Sequence, residues 1–248
     1  MSVTALNFPG KLTSRRSWWS DLIVFLASAA ATAISAAASG ETFGLVLGGL
    51  FCAALLTPPL TCGRQPSMLR IETALAVSLG ITAVWLCLLE KATLAQWVML
   101  EVMLVGLTGV AAALVDVLET LHVHRVLAAA FAVLLGVAWL TWPIWLSSEM
   151  TTPPLRNLVP TLVLLHPPLV ANGILTFTAP WTEQTIAYQL TSLDQDIPLR
   201  LPGSAAACIG VEFGLSLGGF ALSQLIKMVY TMTKPSSITA APDRPAPV

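Results

Sequence analysis

The chain has 248 residues, of which 56% are hydrophobic and only 10% charged. A soluble domain usually carries about a quarter charged residues, so the composition excludes a water-solvated core protein and points to lipid as the main solvent. The net charge of −1 offers no basic face to nucleic acid, and no nucleic-acid partner is expected.

Residues 1–20 are polar and basic, with Lys11, Arg15 and Arg16 ahead of Trp18 and Trp19, and read as a cytoplasmic N-terminal segment. An apolar run over 22–39 follows. Its order of basic region, apolar region and Ala36-Ala37-Ala38 mimics a secretory signal, and Ser14-Arg15-Arg16 faintly resembles a twin-arginine signal. Because further spans follow at once, it reads as an uncleaved first transmembrane helix held by basic residues inside. Six more apolar segments lie near 43–60, 73–89, 94–118, 126–147, 158–180 and 204–230, each close to the ~20 residues needed to cross a bilayer. Most links between them are short, which forces neighbouring helices to run antiparallel. The longest, 181–203, carries Glu183, Asp194, Asp196 and Arg200, and a Pro-rich tail over 231–248 reads as disordered. The expected fold class is therefore all-α, a polytopic transmembrane helix bundle of six or seven membrane segments, with residues 21–230 as one domain and the bilayer as its partner.

The sixth segment, 155–181, is the unusual one. His166 at its middle is followed by Pro167 and Pro168, which have no N–H and leave the carbonyls of Val163 and Leu164 without helical donors. A residue before proline is pushed out of helical geometry, so the break is predicted at His166 itself. Broken helices of this kind line ion and substrate sites in transporters. The bland account is a kinked helix whose histidine bonds a freed carbonyl. Charge bears on the same segment. If all seven segments cross, seven Lys and Arg lie inside against five outside; if segment six enters and leaves on one side, the count becomes nine against three. The positive-inside rule favours the second arrangement.

The last segment holds Gly210, Gly214 and Gly218, a doubled GxxxG. Lipid offers no hydrophobic drive for helix association, so close approach through small residues takes its place. On the opposite face Cys208, Glu212, Ser216, Gly219 and Ser223 recur at spacings of three and four. Such a helix reads as the centre of the bundle, and its glycines also suit a membrane-protein partner or a second copy of the chain. Gly44 and Gly48 repeat the motif in the second segment, and Ala27, Ala31 and Ser35 give the first a small ridge.

Glu212 lies nine residues into its segment, where an ionised carboxylate costs several kcal/mol, so it must be protonated, paired or hydrated. His166 and Glu212, with Asn172 and Ser216 nearby, make the candidate intramembrane polar site; ordinary packing is the competing account of each. Glu101 and Asp116, about 22 Å apart along one helix, are expected at opposite interfaces. Glu119, His122 and His124 read as a solvated loop, since one Glu-x-x-His supplies too few metal ligands, and no metal site is expected. Trp139, Trp142 and Trp145, with Pro143 among them, look like an interfacial aromatic belt. The cysteines Cys52, Cys62, Cys87 and Cys208 form no CxxC pair and read as small buried or isolated thiols. No nucleotide-binding, serine-hydrolase or zinc-protease motif occurs, so nothing argues for an enzyme.

His166-Pro167-Pro168-Leu169, with Gly173 and Phe177 after it, resembles a dozen-residue piece of the haem-handling membrane proteins of cytochrome c assembly. That resemblance implies haem or quinone handling at His166. The chain departs from the family in lacking its Trp-Asp motif, because Trp139, Trp142 and Trp145 stand without the aspartate, and in having no later histidine. No cofactor is therefore expected. The leading expectation is a transport or channel-like component of a bacterial inner membrane, with the N-terminus cytoplasmic. A non-catalytic subunit that binds a partner through its GxxxG faces is the alternative.

Overall fold

In a computed structural model of the chain, residues 14–39, 42–89, 92–146, 149, 152, 156–175 and 201–233 are described. The expectations for Lys11, Phe177, the acidic connection 181–200 and the tail 234–248 fall outside them. Eight helices form among the described residues, in the order α1 (Ser14–Ser39), α2 (Thr42–Thr61), α3 (Ser67–Leu88), α4 (Leu94–Thr120), α5 (Arg125–Trp145), α6 (Val159–Leu165), α7 (Pro167–Leu175) and α8 (Ala206–Thr233). Six of them, all but α6 and α7, are long and apolar enough to cross a membrane. The chain is an all-helical, multi-pass bundle.

Local chemistry sets several helix ends. At the start of α4, Gln96 N–H donates to Thr93 Oγ1 at 3.4 Å and Thr93 N–H donates back to Gln96 Oε1 at 2.8 Å, a capping box. At its end His122 takes a positive φ of 66°, and Val123 N–H reaches the Leu118 carbonyl at 3.0 Å, the geometry that usually calls for glycine. At the other end of the chain's order, α1 begins at Ser14, so Arg15, Arg16, Trp18 and Trp19 belong to the helix rather than to a polar leader.

Helices α1 to α5 run antiparallel in sequence. The packing ridge of α1 is Val24, Ser28, Thr32 and Ser35, with Ala27 exposed; the expected Ala27–Ala31–Ser35 ridge is rotated by about one residue. Small residues set its partners. A Cβ on Gly80 would strike the Ser28 hydroxyl and the Phe25 carbonyl, and one on Gly48 would strike Ser35, so α1 lies close to α2 and α3 as small-residue packing in lipid requires. Gly49 lies under the fully buried Trp85, whose indole N–H donates to the Leu45 carbonyl at 3.2 Å.

The central helix is α4, which packs against α2, α3, α5, α7 and α8. The expectation that the last segment lies at the centre is corrected. Only one side of α8 is covered: Cys208, Glu212, Ser216 and Ser223 are buried, whereas a Cβ on Gly210, Gly214 or Gly218 would meet nothing within 4 Å. The polar, small face of α8 packs on α4 because hydroxyls and a carboxyl are costly against acyl chains, and the doubled GxxxG faces away from the described residues.

Direction follows from the same contacts. Glu212 lies at Gly106, Ser216 at Gly109 and Gly219 at Ala113; Ser223 pairs with Thr120 and Lys227 with Asp116. From Glu212 to Ser223 both numbers rise together, with the long Lys227 side chain reaching back to Asp116, so α8 runs parallel to α4. The segment between α5 and α8 thus begins and ends at one face of the bundle. Helices α6 and α7, of 7 and 9 residues, are about 11 and 14 Å long, too short to cross. They make a re-entrant hairpin with His166 at its tip, φ −92° and ψ 110°. On the return limb the Ile174 carbonyl accepts from Gln96 Nε2 at 2.9 Å, near the start of α4. The count of nine basic residues against three belongs to this arrangement.

Candidate intramembrane site

Glu212 is 5% exposed. Its carboxyl lies over Gly106, where a Cβ would stand 2.7 Å from Oε2, so the glycine makes room for the acid. Neither carboxyl oxygen has an N–H or O–H donor within hydrogen-bond geometry, the Cys208 thiol lies against the carboxyl, and Glu212 forms no ion pair among the described residues. One turn earlier, the Cys208 thiol donates to the Leu165 carbonyl at 3.3 Å, fastening α8 to the tip of the hairpin. Ser216, one turn later, presses its hydroxyl on Gly109.

Glu212 is among the residues that line a cavity of about 220 Å³ between α4, α5 and α8, with its carboxyl oxygens turned away from that space. Its walls are Leu107, Val110 and Leu114 of α4, Gly136 and Trp139 of α5, and Val211 of α8, with Ala54 and Leu165 at the edges and Glu212 the one titratable side chain. Leu135 and Leu215, also on its wall, are 56% and 60% exposed. The cavity therefore opens sideways, toward where acyl chains would lie.

His166 is buried, and its Nε2 lies 3.2 Å from the Leu140 carbonyl of α5. Pro143 in α5 removes the helical donor of the adjacent Trp139 carbonyl, which also faces the ring. The imidazole meets Trp142 and Trp139 edge-on, with centroids 5.3 and 6.1 Å apart. The ring thus bonds a carbonyl of a neighbouring helix, not one of those freed in its own segment by Pro167 and Pro168. A ring so held has its Nε2 occupied and its faces buried, a poor fit to the metal-ligand role that the haem resemblance implied. Nδ1 has no partner.

The two proposed partners come close without joining. His166 and Glu212 share no hydrogen bond; they are linked through Leu165, whose carbonyl accepts from Cys208. Cys208 precedes Glu212 by four residues, so the hairpin tip lies about 6 Å along α8 from the acid. Asn172 is buried on the returning limb, where a Cβ on the neighbouring Gly173 would overlap the backbone of Pro202. Of the expected aromatic belt, Trp145 is 56% exposed, but Trp142 is 2% exposed and packs inside against Val159, Val163 and Leu169. The belt is corrected to one outward tryptophan, because the hairpin covers the others.

At the opposite face the structure assembles an ionic network that was read only as separate residues. Arg70, 0% exposed, donates from Nη2 to Glu119 Oε2 at 2.6 Å and from Nε to the Arg64 carbonyl at 2.8 Å, with Asp116 Oδ1 at 3.3 Å. Asp116 also accepts from Ser67 at 3.0 Å and pairs with Lys227 at 3.2 Å. Glu119 Oε1 accepts from Gly63 N–H at 2.7 Å, and Arg64 pairs with Asp21 at 2.9 Å. One expectation changes here: Glu119 is half-buried and held by Arg70 and Gly63 rather than part of a solvated loop. Asp116, near the end of α4, is 1% exposed and meets the same arginine across the α3–α4 contact. His122 and His124 remain exposed, His122 against Tyr230 with centroids 5.2 Å apart. The available signal was the spacing of Ser67 with Arg70 and of Asp116 with Glu119: two i, i+3 pairs at facing ends of antiparallel helices. At the far end of α4, Glu101 is half-buried and accepts from Thr82 of α3.

Among the described residues no group of three His, Cys, Asp or Glu side chains could hold a metal ion. No protein-family model, curated protein or solved structure matches the chain.

Proposed function

We propose that the protein is a transport or channel-like component of its membrane, with Glu212 as the polar group on which its cargo or a proton is exchanged. The observation that carries this reading is the Glu212 carboxyl, buried within the bundle on a residue that lines a cavity, with no ion pair and no N–H or O–H donor among the described residues. An unpaired buried acid is costly, and intramembrane acids without a bonding role are where proton and cation handling is found. The re-entrant hairpin supports it too, as non-helical backbone at membrane depth belongs where protein lines a site. His166 is then a brace at the hairpin tip rather than a second member of the site.

We further propose that the face bearing Arg64, Arg125 and Lys227, with Arg15 and Arg16 at the start of α1, is cytoplasmic in a bacterial inner membrane. At the other face Arg156 is the one Lys or Arg among the described residues, and the positive-inside rule assigns the sides.

Proteoliposomes containing a pH-sensitive dye, with an imposed pH gradient, test the transport role. Glu212→Gln should abolish the protein-dependent proton flux, while His166→Ala should slow it by less than tenfold. Flux unchanged in Glu212→Gln would remove the proposal. A second reading, a non-catalytic subunit that binds another membrane helix, is favoured by the uncovered Gly210, Gly214 and Gly218. Gly214→Leu should then release the partner in a mild-detergent pull-down, and retention would count against it.

A further inference from the structure

The cavity between α4, α5 and α8 has a length, a volume and a depth, and the three fit one kind of occupant. Leu107 and Leu114 bound it on α4, Ala132 and Trp139 on α5; each pair is seven residues apart, so the space runs about 10 Å along two spanning helices. An engineered cavity of ~150 Å³ takes the six carbons of benzene, about 25 Å³ for each carbon, so the volume of about 220 Å³ here takes about nine. An extended chain advances about 1.2 Å per bond, and nine carbons in a row measure about 10 Å. Volume and length therefore agree on a single extended hydrocarbon chain, whereas a fused-ring body of that volume would leave part of the length empty. The wall asks for nothing polar: the carboxyl oxygens of Glu212 are turned away, and apart from Trp139 the other lining side chains are aliphatic.

Depth names the leaflet. Leu107 is the middle residue of α4, Leu94–Thr120, and stands near the bilayer midplane when that helix spans. From there the cavity runs toward Leu114, on the side of the ionic network, and covers about 10 Å of the ~15 Å of hydrocarbon in that leaflet. Its long axis follows the membrane normal, as acyl chains do, and the exposed Leu135 and Leu215 leave its side open to them.

We infer that this cavity is a binding site for a phospholipid, one acyl chain of which enters sideways from the leaflet at the basic face and lays its last carbons along α4, with the methyl end near Leu107 and Trp139. The inference goes beyond the transport reading and does not rest on it, since it asks nothing of the Glu212 carboxyl.

In the test, the full-length protein is reconstituted with a phosphatidylcholine whose sixteen-carbon chain carries a diazirine near its methyl end. After photolysis the adducts are mapped by peptide mass spectrometry. The exposed Leu75, Leu79 and Leu86 of α3 report ordinary lipid contact. The chain-end probe should label the 107–114 and 132–139 walls at least fivefold more than these three leucines, and a probe beside the ester should show no such excess. A mid-chain probe should favour Leu114 and Ala132 over Leu107 and Trp139. Ala111→Phe fills the space from α4 and should bring the chain-end excess down to the level of α3; the wild-type map decides the matter if that variant fails to fold. Wall labelling no greater than that of α3 would mean surface lipid only and overturn the inference. The reverse order with the mid-chain probe would place the chain in the other leaflet and do the same. So would an excess given by free hexadecanoic acid bearing the diazirine and not by the phospholipid. Proton flux unchanged in Glu212→Gln, with the labelling excess intact, would remove the transport reading alone. Flux that depends on Glu212 without the excess would remove this inference alone.

Discussion

Replacing Arg70 by Met tests whether the ionic network holds the bundle together. Met keeps much of the side chain's length and removes the charge. The guanidinium, 0% exposed, spans Glu119 at 2.6 Å and Asp116 at 3.3 Å. After the replacement Asp116 keeps Ser67 and Lys227, whereas Glu119 keeps the Gly63 N–H and the neighbouring Cys62 thiol but loses its ion-pair partner. Removing one partner of a buried pair costs about 3–5 kcal/mol. The low end applies because Lys227 still serves Asp116, so about 3 kcal/mol is expected, a fall in melting temperature on the order of 10 °C. Reversible unfolding in mixed micelles measures it. The double variant Arg70→Met/Glu119→Gln removes the stranded charge and should recover about 1–2 kcal/mol of that loss, the coupling typical of groups in one network. A single-variant loss below about 1 kcal/mol, in the range of solvated surface pairs, or strict additivity in the double variant, would show that the network is wet and contributes little.

Three further outcomes follow from the geometry. In a cysteine-free background, Leu121→Cys and Thr233→Cys should both react with a membrane-impermeant maleimide from one side and Arg156→Cys from the other; labelling of Thr233→Cys from the Arg156 side would refute the re-entrant hairpin. Gly173→Ala would put a methyl group into the backbone of Pro202, an overpacking that costs at least about 2 kcal/mol; a variant of unchanged melting temperature would mean the chain crossing above α7 yields freely. Burial, and then the neighbouring Glu119 carboxylate, hold the Cys62 thiol above its ordinary range. A raised value means less thiolate at any given pH, and thiolate is the nucleophile. Alkylation of Cys62 by iodoacetamide should therefore be slower than that of free glutathione at pH 8 and still climbing above about pH 9, and a plateau below that point would contradict it.

Much of the fold was legible because hydrocarbon imposes so few solutions. Spans of the right length, antiparallel neighbours and a break at His166 all follow from backbone hydrogen bonding and the missing N–H of two prolines. The distribution of Lys and Arg and the paired prolines together favoured the course in which α8 runs parallel to α4, without deciding it. What escaped was mostly which face of a helix meets which neighbour. Gly210, Gly214 and Gly218 and the stripe from Cys208 to Ser223 are equally plausible packing surfaces on paper, and only the position of α4 decides between them. Arg70, Asp116 and Glu119 were visible as charges near helix ends, but their pairing depends on how far α3 slides along α4, which short loops do not specify. For the candidate site, Glu212 was legible from its depth. The separate fate of His166 was not, because it turns on the Leu140 carbonyl of α5, a neighbour that the sequence does not place.

The ionic network also has a mechanical meaning. It ties Asp21 of α1 to Arg64, and both Arg70 of α3 and Lys227 of α8 to Asp116 of α4, so the first and last helices are each fastened at one face. At the other face the described cross-helix polar ties include the Cys208 thiol on Leu165 and the Gln96 amide on Ile174, single uncharged bonds. The bundle resembles tongs with their pivot at the basic face. A small rotation there becomes a wide movement of the hairpin and of the α4–α8 seam, and Glu212 sits partway along the blades.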